Sequence, residues 1–309
     1  MNTGIQYIAP TNEDYRGRVQ GYHSSARFGF KDLSKGAKSN DIAQLKSVDR
    51  SNLTNVAGDF NSKFTIGFEV EKSRFGRGAV KPTALFAGFE RDSSCGYEAV
   101  TNILPLVPAS QWRNKVFNMM HESKRIIEDT YSPSSYKCGG HTTIAVEGMT
   151  GEELMSKLRL NMGIVMALFR KRLTNGYCNG NTLMNNDGYG RYQMVLVKSN
   201  VVEVRLVSRF QSVKQMMRRY ELFYELLNFS VNNPNGSHAS LLKRLKPIVK
   251  SMYANDMEKV NEVMDLAKHF RKYLQTGKVN RGVINFIDPM RRMDAQSRYD
   301  RDLLTNGYR

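Results

Sequence analysis

From Phe64 onward apolar and polar residues alternate. In FTIGFEVEKS, Phe64, Ile66, Phe68 and Val70 fall on one parity and Gly67, Glu69 and Glu71 on the other, the period of a β-strand with one face turned to a core. Between Gln111 and Asp129 the period becomes helical. There Trp112, Val116, Met119, Met120, Ile126 and Ile127 recur behind Ser110, a fitting N-cap. Residues 138–148, CGGHTTIAVEG, read as another strand. Thr150-Gly151-Glu152-Glu153 matches a capping box, and Leu154, Leu158, Val165, Leu168 and Phe169 behind it predict a second amphipathic helix.

An Asn- and Gly-rich loop, 175–190, precedes two strands, Gln193–Val197 and Val201–Val207, joined at Lys198-Ser199-Asn200 as a hairpin. Ser212 and Gln215 form a further capping box, opening a helix with Met216, Tyr220, Phe223, Tyr224 and Leu227 on its apolar side. NNPNGS, 232–237, stops that helix. Beyond it lie two more basic helices, one from Met257 to Leu274, and a polar tail. Residues 1–60 show no sustained period and read as an extended or irregular arm that Tyr7, Ile8 and Phe28–Phe30 could anchor. The order strand, helix, strand, helix, hairpin, helix predicts an α+β fold. Its sheet is mixed or antiparallel, with helices packed on one face and carboxylates lining an open face. The chain divides into an arm (1–60), a core domain (61–231) and a basic helical C-terminal extension (232–309).

Composition narrows the function classes. With 309 residues and 40% hydrophobic content, the chain can bury one large or two small cores. Forty-six Lys and Arg against 29 Asp and Glu leave a net charge of +17, spread along the chain, which favours phosphate-rich partners. Cys95, Cys138 and Cys178 are odd in number and widely spaced, so no disulfide framework or cysteine-only zinc site is expected, and the compartment reads as reducing. The longest apolar run, Gly163–Phe169, falls far short of the roughly 20 residues of a membrane span. The N-terminus has no secretory pattern, so no membrane and a cytoplasmic location are expected.

Glu69 and Glu71 leave the same strand face about 6–7 Å apart. Such a pair is either part of a solvated face or a seat for a hard divalent cation. Other strand-like segments add Asp92 and Glu98, His141, and Glu203 with Arg205 two residues on. A carboxylate-lined sheet with one His and one Arg would hold two or three cations over a nucleotide triphosphate and leave a guanidinium for the phosphoryl group.

The segments GFEVE (67–71), RDSSCGYEAV (91–100), CGGHTTI (138–144) and GRYQMVLVKSNVVEVRLVSR (190–209) together resemble the amidoligase family, which has a glutamine-synthetase-like carboxylate–amine ligase fold. That family shows, in this order, a GxExE strand, a DGS segment followed by GxE, a Cys-Gly-His strand and an RY…N…ExR strand pair. The resemblance covers about half the chain and is silent on 1–60 and 232–309. Here the family's HxH is His141-Thr142-Thr143, and its DGS is Asp92-Ser93-Ser94.

The resemblance implies metal ligation by Glu69, Glu71, Glu98, His141 and Glu203. Asp92 would be a further ligand or an amine contact, Arg205 a catalytic contact to phosphate, and Arg191 a second phosphate contact. Arg77, in the basic Gly-containing segment 73–81, would help cover the phosphates. The implied reaction is ATP- and Mg²⁺-dependent amide or isopeptide formation through an acyl phosphate, with Mn²⁺ as a substitute. Its substrates are an amine and a carboxylate on an amino acid, peptide or protein. The alternative is a catalytically silent member with a structural or nucleic-acid-associated role, for instance in a phage particle. In that case residues 1–60 would drape over a neighbouring copy in a homo-oligomer or virion, and the location would be host cytoplasm or virion. A related metal-dependent hydrolase or nuclease is a third reading.

Overall fold

The computed structural model describes residues 62–73, 75, 83, 85–92, 95–101, 104–109, 111–129, 137–173, 175–178, 192–198 and 201–278, leaving aside the side chains of 87–92, 111 and 112. The expected N-terminal arm, Arg77, Ser110, Arg191 and the polar tail lie outside the described residues.

Among the described residues the first strand, β1 (Phe64–Lys72), is the longest and sits inside the sheet. It is followed by β2 (Phe86–Asp92), β3 (Gly96–Thr101), the two-residue β4 (Leu104–Pro105), β5 (Thr142–Val146), β6 (Val195–Val197) and β7 (Val202–Val204). These form one sheet in the order β2-β3-β1-β5-β7-β6, with β4 paired to β1, and every pairing is antiparallel. That resolves the choice between mixed and antiparallel. The β6–β7 hairpin is shorter than its apolar run suggests. After Val204 the chain turns away, and Arg205 and Leu206 both donate their N–H to Met194 O.

Seven α-helical segments lie among the described residues: α1 (Gln111–Glu122), α2 (Lys124–Ile127), α3 (Gly151–Leu158), α4 (Gly163–Leu168), α5 (Val213–Asn232), α6 (His238–Met252) and α7 (Met257–Thr276). The helix expected over Gln111–Asp129 is broken at Ser123, whose hydroxyl donates to Thr83 Oγ1 at 2.8 Å. The helix expected after Thr150 is interrupted by a 3-10 turn at Arg159–Met162 before α4. Gly163 lets α4 approach α7 closely. A Cβ there would lie 2.8 Å from Ala267 O and 2.9 Å from Arg271 N.

Local chemistry sets the helix starts. Thr150 Oγ1 accepts from Glu153 N–H and Glu153 Oε2 accepts from Thr150 N–H at 2.6 Å, a complete capping box. At α5 only half of the expected box is present. Ser212 Oγ accepts from Gln215 N–H, but the Gln215 carbonyl takes the N–H of Gln211 instead.

Phe64, Ile66, Phe68 and Val70 enter one continuous core with α1, α3, α4 and α5, as their parity predicts. The C-terminal helices join the same core through residues such as Leu241, Leu245, Val260 and Phe270. The second face of the sheet corrects an expectation. It carries the carboxylates but is not open, because all nine residues of β1 are buried.

Candidate metal centre

Strand register alone gathers the acids. Directly opposed residues in an antiparallel pair share a face, and Glu71 stands opposite Glu98. Gly67 stands opposite Thr143, and Thr143 opposite Glu203. Glu69 lies two residues from both Gly67 and Glu71, so Glu69, Glu71, Glu98 and Glu203 occupy one face of three strands. Gly67 and Thr143, both small, lie between them on that face.

His141 joins them from just before β5, rather than from within the expected strand. Its carbonyl accepts from Glu69 N–H at 3.0 Å, which extends the ladder to it. Its Nδ1 lies 2.7 Å from Glu69 Oε2, 3.0 Å from Glu71 Oε1 and 3.7 Å from Glu203 Oε1. Two adjoining glycines make this possible. A Cβ on Gly139 would lie 2.8 Å from His141 Nε2, and one on Gly140 would lie 2.5 Å from Ser208 O. The Gly139 N–H also donates to Glu71 Oε2 at 2.6 Å.

The cluster is buried, with Glu69, Glu71, Glu98 and Glu203 between 1 and 5% exposed and His141 8%. Carboxylates so placed must be neutralised or paired. Burial works against the Glu71 anion, but His141, the Gly139 N–H and Arg205 outweigh it and hold its carboxyl below the usual range. Burial likewise opposes ionised Glu203, while Lys198, Arg205 and His141 hold it well below that range. Burial would lower the His141 imidazole; the Glu71 and Glu69 charges prevail over it and over Arg205, holding the ring up to about 9.

Arg205 pairs with Glu203 through Nη1, as two residues on one strand edge allow. Its Nε is buried and has no hydrogen-bond partner among the described residues. Lys198, in the β6–β7 turn, places Nζ 2.6 Å from Glu203 Oε2. Of the expected site residues, Asp92 ends β2 paired with Gly96, and its side chain lies outside the description.

Two buried arginines that were not anticipated fix the segment carrying His141. Arg172 donates from Nε to Leu206 O and from Nη1 to Cys138 O, at 3.0 and 3.2 Å. Arg219 donates from Nη1 to Gly140 O at 3.2 Å and lies 4.0 Å over the Phe210 ring. Arg219 had a readable signal, since it falls between Met216 and Tyr220 on the apolar side of α5. Lys198 and Arg172 had none. Cys95, Cys138 and Cys178 are buried thiols, with no disulfide among them. Cys138 Sγ donates to Cys95 O at 3.7 Å, and the Cys95 thiol is pushed up by its hydrogen bond with Cys138, by burial and by Glu71 and Glu98.

Two ligand sets overlap here. Glu69, His141 and Glu203 each offer an atom within 4.8 Å of the others, and so do Glu69, Glu71 and Glu98. Carboxylate oxygens with one imidazole suit a hard or borderline divalent ion such as Mg²⁺ or Mn²⁺, so these buried groups could hold a metal ion. No helix among the described residues is long and apolar enough to cross a membrane. Compared with protein-family models and with curated proteins, the chain matches none.

Proposed function

We propose that this chain is an ATP- and Mg²⁺-dependent carboxylate–amine ligase on a glutamine-synthetase-like sheet, joining an amine to a carboxylate of an amino acid, peptide or protein. The observation that carries the reading is the convergence of five groups, far apart in sequence, into two three-ligand sets that share Glu69. Glu69, His141 and Glu203 would hold one cation, and Glu69, Glu71 and Glu98 a second.

A carboxylate is a poor electrophile at neutral pH, and converting it to an acyl phosphate brings two anions together. Bound cations supply the charge that offsets this repulsion. The chain's own residues do the rest. The Glu side chains fix the cation positions, and the Arg172 and Arg219 staples keep His141 in register. The Arg205 Nε–H, a buried donor lacking an acceptor among the described residues, is suited to a phosphate oxygen. Arg191 and Arg77 are proposed as further phosphate contacts, and Asp92 as the contact that takes the proton of the attacking amine.

The reading is tested with the full chain, ATP, Mg²⁺ and a panel of amino-acid and peptide amines and carboxylates, measuring phosphate release that requires both substrates. Glu69→Gln and Glu203→Gln are each expected to lower it by at least about 100-fold, the scale of losing charge stabilisation in a closed site. Unchanged turnover in either variant removes the assignment.

One observation favours a second reading. Glu203 is already met by Lys198 and Arg205, so this corner of the cluster is neutralised without metal. A silent ligase fold serving a phage particle or nucleoprotein would bind DNA or RNA with steep salt dependence and release no phosphate.

A further inference from the structure

We propose that Lys198 is a built-in substitute for the cation at the Glu69–His141–Glu203 corner, a latch that holds Glu203 while the corner is metal-free and swings out when a divalent ion enters. The inference rests on the metal-dependent reading above and concerns the regulation of that site.

Both oxygens of Glu203 are occupied. Oε2 meets Lys198 Nζ at 2.6 Å, while Oε1 faces Arg205 and lies 3.7 Å from His141 Nδ1. A cation using Glu203 together with Glu69 and His141 therefore competes with an ammonium already seated on the same carboxylate. Arg205, two residues beyond Glu203 on the same stretch of chain, is the less exposed of the two cationic partners, at 15% against 22%.

Lys198 differs in its attachment. Its main chain is fixed: its N–H donates to Val201 O at 2.9 Å, and the start of α3 packs so tightly on this turn that a Cβ on Gly151 would lie 2.0 Å from Lys198 O. Its side chain is a flexible four-carbon stem with a well-hydrated head and is 22% exposed, so it has a route to water without movement of the hairpin. A fixed Lys198 main chain carrying a flexible cationic side chain, aimed at one ligand of a three-ligand set, is a competitive latch. Ion and ammonium exclude each other, so the apparent affinity for the ion falls by the fraction of time the corner is unlatched.

The test is calorimetric titration of the full chain with Mn²⁺ alone, in wild type, Lys198→Met and Glu203→Gln. Lys198→Met is expected to bind Mn²⁺ about 10-fold more tightly than wild type, and Glu203→Gln more weakly. Equal or weaker binding by Lys198→Met, with wild type binding and Glu203→Gln impaired, overturns the latch and leaves the metal reading standing. No Mn²⁺ binding by any of the three overturns both. Because Lys198→Met could fold poorly, a second measurement uses wild type only. The rate at which an amine-reactive reagent modifies Lys198, read by mass spectrometry, should rise several-fold at saturating Mn²⁺. An unchanged or slower rate overturns the proposal.

Discussion

At the scale of single residues, Gly139 and Gly140 separate affinity from stability. A methyl group on Gly139 crowds the His141 ring, at 2.8 Å from Nε2 and 3.0 Å from Cδ2, with Arg172 Nη2 in ordinary contact at 3.5 Å, and a ring can tilt. Gly139→Ala should therefore fold, while its altered His141 position weakens Mn²⁺ binding several-fold in a direct titration. A methyl group on Gly140 meets the main chain at Ser208 O and the buried Arg219 guanidinium, held over Phe210, and neither can give way cheaply. Gly140→Ala should cost about 1–3 kcal/mol in urea unfolding, the usual cost of overpacking. Equal effects of the two substitutions on affinity and stability would contradict this division. The acids were legible because GxExE and ExR fix parity as well as residue type. Glu69, Glu71 and Glu203 follow from a two-residue period once the strands are recognised. Lys198 was not legible, since a lysine in a turn normally points to water, and only the folded register aims it at Glu203.

At the scale of elements, periodicity found the strands and helices but not their breaks. The apolar positions of 111–129 run through Ser123 without interruption, and those of 154–169 run through the 3-10 turn, because both segments keep one buried side while changing pitch. Cap chemistry was more dependable than length. The Thr150 box is complete, and Thr150→Ala should destabilise the fold by about 1 kcal/mol in urea unfolding, while removing the Ser212 hydroxyl should cost a similar amount. A null effect at Thr150 would mean that tertiary packing alone sets the start of α3. The closure of the carboxylate face is not legible in the sequence. Alternation along β1 assigns Glu69 and Glu71 to the face opposite Phe68, but it does not say whether that face meets water. The covering groups, Lys198, Arg205 and the main chain at Gly139, come from distant segments.

At the scale of the molecule, α6 and α7, within the C-terminal extension, put their apolar sides into the same core as the sheet. Gly163 brings α4 against the α7 main chain, so ending the chain after residue 237 should leave a large apolar surface uncovered. Loss of a cooperative urea transition in that truncation is the expected result; a retained one would show that the sheet and the preceding helices fold without α6 and α7. On the proposed function, strands β1, β3 and β7 and the segment at His141 would assemble a two-cation seat for a nucleotide. Its most direct test is a crystal structure of the full chain with Mn²⁺ and a non-hydrolysable ATP analogue. Two anomalous peaks are expected, one among Glu69, His141 and Glu203 and one among Glu69, Glu71 and Glu98, with phosphate oxygens between them and the Arg205 guanidinium. The contradicting result is nucleotide and Mn²⁺ bound elsewhere or not at all, with the five side chains unmoved.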